Sequence, residues 1–182
     1  MDYITKPATR RIIRGYAKLL REIFGIKQVG RFPVLRVLDE LHKYFDGCTY
    51  EIVSDDEFPM NKPARCVQTD DNAFIIEIKE SVYKGAYEKR IGAYMGFICH
   101  EICHVFLFSI GHRPIYERSF KNKEIKPYES VEWQAMALSG EVMIPYEESK
   151  GMSRERIIRK YIVSKEMAKY RIAIDDNKKS TI

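Results

Sequence analysis

The sequence predicts an α+β fold in which helices flank a short, mainly antiparallel sheet. Two observations support this prediction. Apolar residues recur at helical spacing near the N-terminus and over most of the C-terminal half, whereas residues 48–78 alternate apolar and polar side chains and are rich in Val, Ile, Thr and Tyr. A chain of 182 residues, 45% of them hydrophobic, can bury a core without disulfides, so we expect one domain over residues 1–182.

Two helices are predicted at the start of the chain. Residues 8–24 place apolar side chains three and four positions apart, and Gly25 is a typical helix stop. Pro33 begins a second pattern of this kind, which Gly47 ends. Both helices fall within residues 1–47.

Three short strands are predicted next, at residues 48–53, 64–69 and 73–78. The Asp-Asp-Asn sequence at 70–72 favours a turn, so we expect the second and third strands to form a hairpin. We expect the strand 73–78 to lie at an exposed edge of the sheet.

The C-terminal half predicts four helices, at about residues 87–109, 128–142, 153–161 and 164–172. Stop or capping residues stand beside them, namely Gly111, Pro145, Ser153 and Ser164. Residues 112–127 predict a loop, and the polar tail 175–182 is expected to fray. Within the single domain we assign 1–47 to N-terminal helices, 48–149 to the core and 150–182 to a C-terminal helical cap and tail.

The composition favours a cytoplasmic protein with reduced cysteines. Residues 1–20 are basic but lack the apolar stretch and small-residue cleavage site of a signal peptide. We therefore predict free thiols at Cys48, Cys66, Cys99 and Cys103. The four-residue spacing of Cys99 and Cys103 favours two small buried hydrophobic residues over a redox pair.

Residues 91–110 form the most apolar stretch and have the length of a membrane span. Ionisable groups at the centre of this stretch would be costly in a bilayer. The chain also has no second long apolar segment with which to enclose a site. We therefore expect a buried core helix and no membrane partner.

Basic ends flank an acidic middle. Residues 1–43 and 150–182 each carry ten Lys/Arg against four Asp/Glu, whereas 44–149 carry eleven against eighteen. Such arms are compatible with an anionic partner, and residues 154–172 have the spacing of a short helix-turn-helix. We favour solvated surface and a helical cap, because a DNA reader needs a third supporting helix, and we expect no direct nucleic-acid binding.

The residues that point to chemistry are His100, Glu101 and His104, in the pentapeptide His-Glu-Ile-Cys-His. On a helix, positions i and i+4 share a face, so both imidazoles reach one metal ion while Glu101 is placed beside it as a general base. By composition alone such a pattern is expected about 0.01 times in this chain. Burying two His and a Glu in the most apolar helix without a ligand or partners would be costly, which favours a metal site.

A third metal ligand is needed, because catalytic zinc takes three protein ligands and one open position. His42 lies on an early helix. His112 follows His104 by eight residues without the glycine turn of the extended histidine motif, so we expect it to be a loop residue. A helical glutamate, Glu129 or Glu132, is the other source, and the small residues that follow Glu132 favour it because they let its helix pack closely.

Five segments of the chain resemble the ImmA/IrrE family of metallopeptidases. They are Arg90 leading into the helix, the pentapeptide 100–104, Glu-Trp-Gln-Ala at 132–135, Val-Met-Ile-Pro at 142–145 and the segment 163–172. The resemblance covers about residues 50–172.

The resemblance implies a zincin-like core, Glu132 as the third zinc ligand and cleavage of a DNA-binding repressor. The chain departs from the family pattern where Cys103, Met136 and Leu138-Ser139 stand in place of Gly, Asn and Phe-Ala. None of these departures falls on a proposed ligand.

We therefore expect a zinc metallo-endopeptidase with Zn²⁺ held by His100, His104 and Glu132 and with Glu101 as the catalytic base. Its expected substrate is a cytoplasmic protein, specifically a helix-turn-helix repressor cut at one or a few sites, since an indiscriminate cytoplasmic protease would be harmful. The alternative is a metal-containing binding module that sequesters a regulator without cleaving it, although such a module has no need of Glu101.

Two further expectations concern substrate binding. Candidates for a second group that stabilises the oxyanion are Tyr128, His112 and Arg113. The strand 73–78 is the candidate to receive an extended substrate segment as an added strand.

Overall fold

The computed structural model describes residues 2–59, 61–115 and 125–179, with residues 175–179 described by their backbone alone. These residues form nine α-helices and one three-stranded sheet, which confirms the predicted α+β class. The helices are α1 (Arg10–Ile23), α2 (Val34–Asp39), α3 (Leu41–Tyr44), α4 (Glu80–Tyr87), α5 (Gly92–Ser109), α6 (Val131–Met143), α7 (Tyr146–Ser149), α8 (Arg154–Tyr161) and α9 (Lys165–Lys179). The strands are β1 (Thr49–Val53), β2 (Ala64–Gln68) and β3 (Phe74–Lys79).

The first predicted helix is confirmed as α1, and the second is divided. Helix α1 begins after Thr9, whose side chain accepts a hydrogen bond from the Ile12 amide, and ends just before Gly25. The pattern that follows Pro33 forms α2 and α3, which are separated at Glu40. One face of α1 is buried in the hydrophobic core, through Ile13, Ala17 and Leu20.

The sheet is mixed, with strand order β1-β3-β2. Strands β2 and β3 form the predicted antiparallel hairpin, with Ala64 opposite Ile78. Strand β1 pairs with β3 in parallel, so one of the two pairings departs from the antiparallel arrangement. The expectation of an edge strand at 73–78 is wrong: β3 is central, because the chain crosses to the far side of the sheet after β1 and the hairpin then returns it to the middle.

The helix predicted at 87–109 begins later than expected. Helix α4 ends at Tyr87, and α5 begins at Gly92 after a sharp reversal in which Arg90 adopts a φ of 51°. Gly92 has a physical reason to be glycine, since a Cβ atom there would lie 2.5 Å from the carbonyl carbon of Val163. The close approach brings the start of α5 against the turn between α8 and α9.

Helix α5 is the central core element. Ten of its eighteen residues are buried, including His104 and both cysteines at 99 and 103. All four cysteines of the chain are free thiols, as predicted. Among the described residues, no single helix is long and apolar enough to cross a membrane; α4 and α5 reach that length only together, and their axes are bent by 115°.

The C-terminal half otherwise follows the predicted order. A 3-10 turn at Pro127–Glu129 precedes α6, and Ser153 and Ser164 cap α8 and α9 by accepting backbone hydrogen bonds. Helix α9 continues past the predicted end at 172 to Lys179. Residues 116–124 of the predicted loop and residues 180–182 of the predicted tail lie outside the described residues.

Candidate metal centre

Helices α5 and α6 bring three predicted ligands together. His100 and His104 stand one turn apart on α5, and Glu132 is the second residue of α6. The Nε2 atoms of the two histidines are 3.0 Å apart. Glu132 Oε2 lies 3.2 Å from His100 Nε2 and 3.6 Å from His104 Nε2. Within the described part of the chain, this is the group of His, Cys, Asp or Glu side chains whose spacing suits a metal ion.

The spacing of these three atoms fits a small divalent cation. Zinc bonds of about 2.0–2.2 Å in a tetrahedral arrangement place neighbouring ligand atoms roughly 3.3–3.6 Å apart. The separations of 3.0, 3.2 and 3.6 Å lie within that range or just below it. The other ring nitrogen of His104, Nδ1, is buried and has no hydrogen-bond partner among the described residues, so the polar contacts of this ring are made through Nε2. Three atoms with lone pairs therefore face one another, which is the arrangement that a cation stabilises.

The electrostatics of the cluster favour an ionised carboxylate. Hydrogen bonds with His100 and then His104 hold the pKa of Glu132 far below its usual range. Burial lowers the pKa of His100, but the hydrogen bond with Glu132 and the negative charges of Glu101 and Glu132 outweigh burial and raise it overall. The Glu132 carboxylate is therefore negatively charged at neutral pH and would attract a cation.

Glu101 lies next to the cluster without belonging to it. The side chain is half-buried and lines the same cleft as His100 and His104. Its negative charge reaches the thiol of Cys66 on β2, where burial first and Glu101 second raise the thiol pKa. Glu101 therefore faces the space between α5 and the sheet, beside the metal position rather than in it.

The cluster opens into a cleft of about 1270 Å³. Its lining comes from strand β2, from helices α5, α6 and α9, and from Asp2 and Tyr3 near the N-terminus. The helical part of the lining carries large apolar side chains with much of their surface exposed: Phe97 (40%), Met136 (46%) and Tyr170 (39%). The cleft thus joins a polar centre to a sheet edge and an apolar surface.

Residues 95–173 match the model of the peptidase M78 family, described as an IrrE N-terminal-like domain. This segment of the chain is similar to the ImmA/IrrE family. The match supports a metallopeptidase-type function. The matched segment includes all three residues of the cluster as well as Glu101, and it continues past residue 150 through α8 into α9. No curated protein matches the chain significantly.

The other candidate ligands lie elsewhere. His112 is buried at the end of α5, where its Nε2 is 2.9 Å from the hydroxyl of Tyr16. His42 is exposed on α3, and Glu129 lies in the 3-10 turn outside the described cluster. The structure therefore brings Glu132, rather than Glu129 or a third histidine, beside the pentapeptide.

The three candidates for an oxyanion-stabilising group are not supported by their positions. Tyr128, His112 and Arg113 are absent from the described residues that line the cleft. Arg113 instead donates to the carbonyl of Phe108 and to the side chain of Asn72. Their positions next to the motif in sequence do not bring them to the metal position in space.

Sequence reasoning missed two residues that hold Glu132 in place. Ser130 caps α6 by accepting the Trp133 amide, and its hydroxyl donates to Asp2 at 2.6 Å. Asp2 also accepts the backbone amide of Glu132. The sequence did contain a signal for Ser130, a capping residue just before a helical pattern. It contained none for Asp2, which lies 128 residues from its partner.

Proposed function

We propose that this protein is a zinc-dependent endopeptidase that makes limited cuts in a cytoplasmic helix-turn-helix transcriptional repressor. The observation that carries the proposal is the convergence of His100, His104 and Glu132 within 3.6 Å of one another, beside Glu101 and open to a cleft. Two histidines and a carboxylate are a ligand set of catalytic zinc, and all three of these side chains line the cleft.

Each residue of the site has a separate chemical task. When bound by His100, His104 and Glu132, zinc supplies Lewis acidity, which polarises a peptide carbonyl and acidifies water. Glu101 takes a proton from the attacking water as general base. The same carboxyl group then donates the proton to the amine that leaves as the C–N bond breaks, so the base is regenerated. Glu101 lines the cleft without belonging to the ligand cluster, as this role requires.

The walls of the cleft support binding of an extended peptide segment. Strand β2 pairs with β3 on one side, and no strand pairs with its other side among the described residues. Unpaired N–H and C=O groups along such an edge bind an extended segment as an added strand. The exposed apolar side chains of Phe97, Met136 and Tyr170, which line the helical part of the cleft, suit large apolar side chains of that segment.

This mode of binding supports limited rather than general proteolysis. A folded protein offers an extended segment only in a linker or in a part that opens transiently. A folded repressor would therefore be cut at one or a few such sites. The family resemblance supplies the target class, a DNA-binding repressor.

The test is cleavage of a defined substrate. The zinc-loaded protein is incubated with the helix-turn-helix repressor encoded beside it and, separately, with casein. A single repressor cut is expected, blocked by a chelator and by Glu101→Gln, because this change removes the base without removing a ligand. Glu147→Gln is the matched control, since Glu147 is an exposed glutamate on α7 that does not line the described cleft.

Two outcomes would contradict the proposal. Rapid degradation of casein with an intact repressor would remove the substrate assignment. Equal loss of repressor activity with the wild-type protein and with Glu101→Gln, without any cut, would instead indicate the sequestering module.

A further inference from the structure

The first turn of α6 is held by the N-terminal segment of the chain. The first three backbone N–H groups of a helix have no partner within the helix itself. In α6 each of them is satisfied: the Val131 amide donates to the Tyr3 carbonyl at 3.0 Å, the Glu132 amide to Asp2 Oδ1 at 3.2 Å, and the Trp133 amide to the Ser130 hydroxyl. Two of these three acceptors come from residues 2–3, about 130 positions away in the sequence.

The carboxylate of Asp2 joins two parts of this cap. While Oδ1 accepts the Glu132 amide, Oδ2 accepts the hydroxyl hydrogen of Ser130 at 2.6 Å. Ser130 is buried, with 4% of its surface exposed, and its oxygen is the acceptor for the next amide. A single side chain therefore orients both the N-cap residue and the second residue of the helix.

The segment that carries Asp2 is itself fixed in place. The Thr5 amide donates to the Glu129 carbonyl at 2.7 Å, the Ala8 amide donates to the Tyr128 carbonyl at 2.8 Å, and Ile4 forms an antiparallel bridge with Ser130. These contacts run along the 3-10 turn that leads into α6. Asp2 consequently meets the helix from a defined position.

This cap determines where Glu132 lies. Helix ends fray first, and Glu132 is the second residue of its helix. Its carboxylate oxygen has to remain within 3.2–3.6 Å of two imidazole nitrogens on another helix. Fraying of the first turn would move it by more than that tolerance. The negative charge of Asp2 at a helix N-terminus also favours the folded turn.

We propose that Asp2 is a positioning residue of the metal centre, which holds the first turn of α6 so that Glu132 reaches the two histidines. This inference rests on the proposed role of Glu132 as a metal ligand. Asp2 acts through the backbone of Glu132 and through Ser130 and is not itself a member of the ligand cluster.

Zinc affinity is the direct test, measured by competition with a chromogenic chelator on the full-length protein. Asp2→Ala is expected to weaken zinc binding about tenfold, the lower end of the range for groups that orient a ligand. Asp2→Asn keeps an oxygen that can accept the Glu132 amide, so it is expected to restore most of the affinity. In the cobalt-substituted protein, Asp2→Ala is expected to change the visible absorption spectrum, which reports ligand geometry rather than stability.

Asp55→Ala is the matched control. Asp55 Oδ1 accepts the Ser81 amide at 2.9 Å, so it caps the second residue of α4 in the way that Asp2 caps the second residue of α6. Its removal is expected to leave zinc affinity and the cobalt spectrum unchanged.

Two results would overturn the inference, and they differ in what they imply for the function. Wild-type zinc affinity and an unchanged cobalt spectrum in Asp2→Ala would exclude the positioning role while leaving the metal centre intact. A wild-type protein that binds no zinc would remove both the proposed function and the role of Asp2.

Discussion

Replacing Glu132 with alanine should uncouple metal binding from folding stability. Glu132 Oε2 is the acidic member of the cluster, 3.2 Å from His100 and 3.6 Å from His104. Its side chain is 53% exposed, so its hydrogen bonds contribute little to the stability of the metal-free protein. The variant should therefore fold as the wild type does and lose one of three ligands.

The size of the effect follows from general values. Four-ligand zinc sites bind with about 10–16 kcal/mol, so one ligand contributes about 3 kcal/mol, or roughly 150-fold in affinity. At a free zinc concentration of 100 times the wild-type Kd, binding stabilises the wild type by about 2.7 kcal/mol. At the same concentration the variant gains only about 0.3 kcal/mol. For a chain of this length these gains correspond to about 5–10 °C and about 1 °C in Tm.

The assay is thermal unfolding with and without zinc, together with a direct measurement of the zinc Kd. Glu129→Ala is the control, because Glu129 is a glutamate in the preceding 3-10 turn that lies outside the described metal cluster. It should keep both the wild-type Kd and the full rise in Tm. The reasoning is refuted if Glu132→Ala keeps the wild-type Kd while Glu129→Ala loses it, since the third ligand would then lie one turn earlier.

Three further predictions concern stability and reactivity. Gly92→Ala should lower the free energy of unfolding by about 1–3 kcal/mol, because its Cβ would lie 2.5 Å from the Val163 carbonyl carbon. In the control Gly140→Ala the new Cβ meets no atom within 4 Å, so the free energy of unfolding should rise by up to about 1 kcal/mol. Urea denaturation measures both variants, and equal effects would contradict the close contact at Gly92. Burial raises the pKa of Glu148, but hydrogen bonds from a lysine, a backbone amide and a tyrosine lower this pKa overall. The contribution of Glu148 to folding stability is therefore complete above the unfolded pKa of about 4.3, and it is lost as the pH falls through the lower folded pKa. Glu148→Gln should accordingly destabilise the protein at pH 7 and progressively less below pH 4 or so in the same assay, and a pH-independent loss would refute this origin. Finally, a thiol reagent should modify at most one of the four cysteines in the native protein, Cys66, because the other three are buried. Cys66 should react slowly, since burial raises the pKa of its thiol. Modification of several thiols before unfolding would contradict the burial of the other three cysteines.

The proximity of His100 and His104 could be predicted from the sequence because the information is local. Positions 100 and 104 share a face on any helix, so the geometry of the two histidines depends only on α5 being helical. The elements that were predicted correctly include α1 and the β2–β3 hairpin. They are likewise determined by side-chain spacing and by a turn between adjacent segments. Choosing Glu132 over Glu129 needed the family resemblance, since both glutamates stand near the start of the same predicted helix.

What the sequence could not predict depends on contacts between distant residues. The parallel pairing of β1 with β3, which makes β2 the edge, arises from a crossover that no local pattern records. The break between α4 and α5 occurs at Arg90, a non-glycine residue with positive φ, where propensity alone favours a continuous helix. Asp2 meets Glu132 across 130 residues, and its short polar side chain is unremarkable in the sequence itself.

Helix α5 is both the centre of the hydrophobic core and the helix that carries His100 and His104. Folding stability and the geometry of the site therefore depend on the same helix. Its position is determined by packing, since ten of its eighteen residues are buried and Gly92 is in close contact with Val163. The histidines consequently lie on a rigid element, whereas Glu132 lies at the first turn of α6, which depends on capping. Small displacements of the cluster should therefore arise on the α6 side. Changes in the capping residues should alter metal affinity at little cost in stability, whereas changes along α5 should alter both together.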